Sequence, residues 1–93
     1  MTETTVHVRI TGLVQGVGYR AWCHRKAREL NLSGFVRNRR TGEVEAVFSG
    51  PTSQVEAMVI ACREGPHGAR VDDVAVHGTG GPMTGPFEIA ETA

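Results

Sequence analysis

Aromatic side chains are scarce in this sequence, with one Trp, one Tyr and three Phe among 93 residues. A surface that stacks successive nucleobases needs more rings than that. An excess of charge of either sign is also missing. Ten Lys and Arg balance ten Asp and Glu, so no net field draws the chain to nucleic acid or to an anionic membrane. No apolar run approaches the roughly 20 residues of a membrane-spanning helix. The start Met1-Thr2-Glu3-Thr4-Thr5 has neither the basic nor the apolar stretch of a secretory leader. The expectation is a cytoplasmic protein with no nucleic-acid and no membrane partner. His7, His24, His67 and His77 are scattered without metal-ligand spacing, and Cys-x-x-Cys is missing, so no metal and no cofactor is expected.

What is present is ordinary globular composition, 40% hydrophobic and 22% charged, in a length that builds one core and one domain, residues 1–93. Val6, Val8 and Ile10 alternate with His7, Arg9 and Thr11, the period of a half-buried strand. Cys23, Ala27 and Leu30 then fall on one helical face, as do Val55, Met58, Val59 and Cys62 further on. Ser53 and Glu56 have the spacing of a capping box. These patterns predict strands at about 5–12, 34–40, 43–49 and 70–78, helices at about 20–31 and 53–64, and a short strand at 87–90. The order βαββαβ is that of an α+β, ferredoxin-like sandwich, an antiparallel sheet with two helices on one face, here with a short C-terminal strand. No exposed apolar stripe argues for a dimer, so a monomer is expected.

Cys23 and Cys62 both fall on the inward faces of the predicted helices. A disulfide between them is open if the helices lie side by side, but in a reducing compartment free, buried thiols are expected. Neither thiol has neighbours that mark a nucleophile.

Between the first strand and the first helix lies Gly12-Leu13-Val14-Gln15-Gly16-Val17-Gly18-Tyr19-Arg20. A glycine-rich turn at that junction lets backbone N–H groups converge, and the helix start adds unpaired donors and the positive end of its dipole. Phosphate suits such a cradle. Arg20 adds a planar guanidinium fork that matches two phosphate oxygens. The loop is not a Walker motif, because no Gly-Lys-Ser/Thr closes it. Gly16-Val17-Gly18-Tyr19-Arg20-Ala21 fits the dinucleotide pattern, yet the chain is too short for a doubly wound sheet. On the glycines alone, a tight turn without a ligand reads equally well.

A second segment, Gly34-Phe35-Val36-Arg37-Asn38-Arg39-Arg40-Thr41-Gly42-Glu43-Val44-Glu45-Ala46, follows the helix. Together with Val14-Gln15-Gly16-Val17-Gly18-Tyr19-Arg20 it resembles the acylphosphatase family, over roughly residues 5–77 and including Gly65-Pro66, Ala69 and Val71. The resemblance implies a small, free-standing enzyme that hydrolyses the carboxyl-phosphate bond of acyl phosphates. By that resemblance Gln15, Gly16, Val17, Gly18 and Tyr19 form a backbone cradle, Arg20 binds phosphate and Asn38 positions water. The sequence has Tyr19 where the family often has Phe, and Phe35 where it often has Trp.

Topology brings the two segments together independently of the motifs. In a βαβ unit the first two strands run parallel, so Arg20 and Asn38 emerge at the same end of the sheet. The chemistry needs little more. An acyl phosphate releases a carboxylate whose conjugate acid has a pKa of roughly 4, so no general acid is required. The Asn38 carboxamide oxygen is suited to orient water, and the water's proton is expected to pass to a phosphate oxygen of the substrate.

Two other classes share parts of this pattern. RNA-recognition modules have the same topology, and Arg9, Arg37, Arg39 and Arg40 resemble a basic stripe. Their third strand carries stacking aromatics, however, whereas Glu43-Val44-Glu45-Ala46-Val47-Phe48 is acidic and nearly ring-free. A binding module without turnover would use the same cradle but would not need Asn38.

Overall fold

Val8 and Ile10 are completely buried, while His7 and Arg9, which alternate with them, stay partly open. This alternation sets the two faces of the sheet. The computed structural model describes residues 2–93. Strand β1 (Glu3–Leu13) leads through a loop into helix α1 (Tyr19–Glu29). Strands β2 (Ser33–Asn38) and β3 (Val44–Pro51) follow as a hairpin, then helix α2 (Thr52–Glu64), strand β4 (Arg70–Thr79) and the two-residue strand β5 (Glu88–Ile89). The spatial order is β4-β1-β3-β2-β5.

The first four strands pair antiparallel, as expected. The fifth does not. Strand β5 runs parallel to β2, pairing Phe35 with Glu88 and Val36 with Ile89, so the sheet is mixed. The cause is Phe87, fully buried and stacked on Phe48 with ring centroids 5.5 Å apart. That anchor seats the final segment beside β2. Beyond β5, the amide of Ala90 donates to the Val36 carbonyl and that of Ala93 to the Asn38 carbonyl.

Tyr19, Cys23 and Ala27 of α1 join Val55, Met58 and Cys62 of α2 in one core with Val8, Ile10, Val36, Val44, Ala46 and Phe48 of the sheet. Both helices therefore cover the same face. Helix α1 is shorter than predicted because Asn31 takes a left-handed conformation, φ 56°, which ends the helical run. The capping box at Ser53 and Glu56 does not form. Thr52 already begins the helix, Pro51 stands at its N-cap without a side-chain bond, and the Thr52 hydroxyl bonds to Thr4 instead.

The opposite face is polar. Glu45, buried among its neighbours, accepts from Arg37 at 2.6 Å, from Arg39 at 3.3 Å and pairs with His7. Burial alone would raise the Glu45 pKa, but the hydrogen bonds from Arg37 and His7 outweigh it and hold the carboxyl below its ordinary range. Arg9 pairs with Glu43 at 3.1 Å. The supposed basic stripe is thus largely neutralised within the sheet itself.

The expectation of no exposed apolar stripe meets one exception. Ile60 and Val76, 65% and 49% exposed, line a shallow groove with Val6 and Val59 beside edge strand β4. Ile60 faces away from the buried Val55, Met58 and Cys62, and Val76 sits next to a register shift between β1 and β4. Among the described residues, no helix is long and apolar enough to cross a membrane.

Candidate active site

Strand β1 ends at Leu13 and α1 starts at Tyr19, so five residues make the whole turn. Val14 is buried and pins its beginning. Gly16 and Gly18 take φ of 76° and 79°, a region that side chains disfavour, and an added Cβ at either would meet nothing within 4 Å. Their requirement is therefore conformational rather than steric. Gly18 is the N-cap of α1 and its carbonyl accepts the first helical bond, from Trp22, at 3.0 Å. The amides of Tyr19, Arg20 and Ala21 then have no partner within the helix. No acidic side chain occupies that first turn, so the positive end of the helix dipole stays available to an anion.

A cavity of about 290 Å³ opens at this point. Gln15, Gly16, Gly18 and Arg20 from the turn and helix start line it, together with Asn38 of β2 and Ile89 of β5. Arg20 and Asn38, the two residues expected to meet, do line one space. Among the described residues Arg20 has no carboxylate partner, unlike Arg9, Arg37, Arg39 and Arg70. The Asn38 Oδ1 is buried and accepts no hydrogen bond. A buried acceptor left without a donor is uncommon and costs stability, and the residue that carries it lines the same cavity as Arg20.

Three of the expected cradle residues contribute in different ways. The Val17 side chain packs against the core and does not line the cavity. Tyr19 is buried, its hydroxyl donating to the Cys62 carbonyl at 2.7 Å, so only its backbone is available to a ligand. Gln15 directs its side-chain Nε2 away from the cradle to the carbonyls of Arg39 and Glu43, at 2.8 and 2.9 Å. Ile89, half exposed, was not anticipated in the site. A two-residue strand carries too little alternation to reveal which way it faces.

Cys23 and Cys62 are free and fully buried. A hydrogen bond to Cys62 together with burial pushes the Cys23 thiol well above its ordinary value, which leaves it protonated and inert.

The sequence matches the acylphosphatase family model over residues 6–89. The chain belongs to the acylphosphatase family. It is 53% identical over 89 residues to an acylphosphatase of Azorhizobium caulinodans, covering 95% of this chain and 96% of that protein. An acylphosphatase of Rhodospirillum rubrum is 60% identical over 72 residues, 77% of this chain and 79% of that one. Among solved structures, an acylphosphatase from Coxiella burnetii superposes with a TM-score of 0.88 at 34% identity, covering 95% of this chain and 93% of that one. Acylphosphatases hydrolyse the carboxyl-phosphate bond of acyl phosphates, and this is the activity of the chain.

Proposed function

We propose that the backbone of residues 15–19 and the Arg20 guanidinium hold the phosphoryl group, and that Asn38 orients the attacking water. The observation that carries this reading is that Asn38 lines one cavity with Arg20 and has a side-chain oxygen, Oδ1, to which no group donates. A carboxamide oxygen turned to that cavity accepts a hydrogen bond from water and directs a lone pair of that water toward phosphorus.

The loop amides and the guanidinium stabilise charge on the equatorial oxygens of the transferring group. Water forms the new P–O bond as the bond to the acyl oxygen breaks. The acyl group leaves as a carboxylate, stable without protonation near neutrality. An amide is no base, so the proton of the attacking water passes to a phosphate oxygen of the substrate itself, and no metal is needed for any step. The same reading makes residues 1–93 one catalytic domain acting as a cytoplasmic monomer on a small-molecule acyl phosphate.

The test is hydrolysis of benzoyl phosphate in the presence of a chelator, followed by the ultraviolet change as benzoate forms. Turnover should persist with the chelator and fall steeply in Asn38→Ala. Loss on chelation, or an Asn38→Ala variant as fast as the native protein, overturns the reading. Sedimentation at assay concentration checks the monomer, and a second species involving the Ile60 and Val76 groove would contradict it.

A further inference from the structure

We infer that the Gln15 side chain is a positioning residue, which sets the distance between the phosphate cradle and Asn38. The inference rests on the assignment of Asn38 as the water-orienting group. The two halves of the site belong to strands that do not touch, because β3 lies between β1 and β2. The cradle leaves β1, whereas Asn38 is the last residue of β2. Something must hold these two ends at a fixed separation, since in-line attack tolerates little displacement.

Gln15 spans that gap. Its Nε2 donates both protons across the hairpin, to the carbonyl of Arg39, next to Asn38, and to that of Glu43, on the other side of the turn. The receiving turn is itself closed: the Arg39 amide donates to the Glu43 carbonyl at 2.8 Å, and the Gly42 amide to the Arg39 carbonyl at 3.0 Å. Arg39 is held again by its guanidinium on Glu45. Gln15 therefore grips a rigid turn rather than a loose one. Because both carbonyls keep another donor when Gln15 is removed, its loss leaves no buried acceptor empty and the fold should survive.

The experiment is a double-mutant cycle on benzoyl phosphate with Gln15→Met, which keeps the length of the side chain and removes its donors, and Asn38→Ala. Gln15→Met should lower kcat by about tenfold while the inhibition constant for inorganic phosphate changes by less than about twofold, and it should cost nothing further on top of Asn38→Ala. A full additional loss in the Asn38→Ala background, or weakened phosphate inhibition, means that Gln15 acts on the cradle itself and overturns the inference. If Asn38→Ala alone keeps native turnover, the parent assignment fails, an outcome separate from either. Gln15→Glu supplies a second readout. At neutral pH the introduced carboxylate has no proton to donate and repels both carbonyls. Turnover relative to the native protein should recover as falling pH protonates it and restores one bond. A ratio that does not change with pH overturns the inference as well.

Discussion

The Tyr19 hydroxyl donates to the Cys62 carbonyl at 2.7 Å, joining the first residue of α1 to the last turn of α2. The final carbonyls of a helix lack partners within it, and here a side chain from the other helix supplies one. Burial, with the neighbouring Cys62, pushes the phenol pKa far above its ordinary 10.0, so the hydroxyl remains a donor at every working pH. The N-terminal end of α1 is thereby fastened to its neighbouring helix.

Tyr19→Phe should therefore lower stability by about 1 kcal/mol and leave kcat near the native value below the melting transition. Urea unfolding monitored beside the benzoyl phosphate assay checks this. A large fall in kcat with unchanged stability would mean that the hydroxyl acts in the site instead.

Arg20→Gln should weaken competitive inhibition by inorganic phosphate by about tenfold or more, with Arg20→Lys recovering part of it, because a point charge replaces the planar fork only incompletely. The inhibition constants of the three proteins decide the matter.

For Asn38→Ala the split runs the other way: kcat falls by about a hundredfold while phosphate inhibition stays close to native. Removing the carboxamide also removes a buried acceptor without a donor, so this variant should unfold at a temperature no lower than the native protein. A destabilised Asn38→Ala would indicate a structural partner for its side chain.

Glu45 carries a pH prediction. Its carboxyl titrates below the ordinary 4.5 in the folded chain, so between the two values the unfolded state binds more protons than the native one. The network around Glu45 therefore stabilises the fold above about pH 4.5, and its contribution disappears as pH falls through the lowered folded value. In melts from about pH 6 to about pH 3, the gap between native protein and Glu45→Gln should close toward the acid end. A gap that stays constant contradicts the assignment.

Much of this architecture was legible in the residues. The alternation at Val6, Val8 and Ile10 marks β1, and the spacing of Cys23 and Ala27 marks the inner face of α1, because each pattern reflects burial against a single core. Arg20 and Asn38 could be brought together from topology alone. The parallel pairing of β5 could not, since it depends on where Phe87 finds a hole beside Phe48, a property of the assembled core. The expected capping box failed for a similar reason: Thr52 begins α2 earlier and is tied to Thr4, a partner 48 residues away. Gln15 reads from sequence as one more cradle residue. Its side chain proves to reach the hairpin, which no local spacing encodes.

The strand order has a consequence in time. Arg20 and Asn38 lie in the first half of the chain, but the strand that bridges their two halves, β3, is synthesised after both. Register pairs such as Val6 with Phe48 and Val8 with Val76 join residues far apart in the sequence, and contacts of that reach form slowly. A ribosome-bound chain that has just exposed Asn38 already carries Arg20 but not yet the strand that holds the two together; the cavity they share forms with the closing of the sheet.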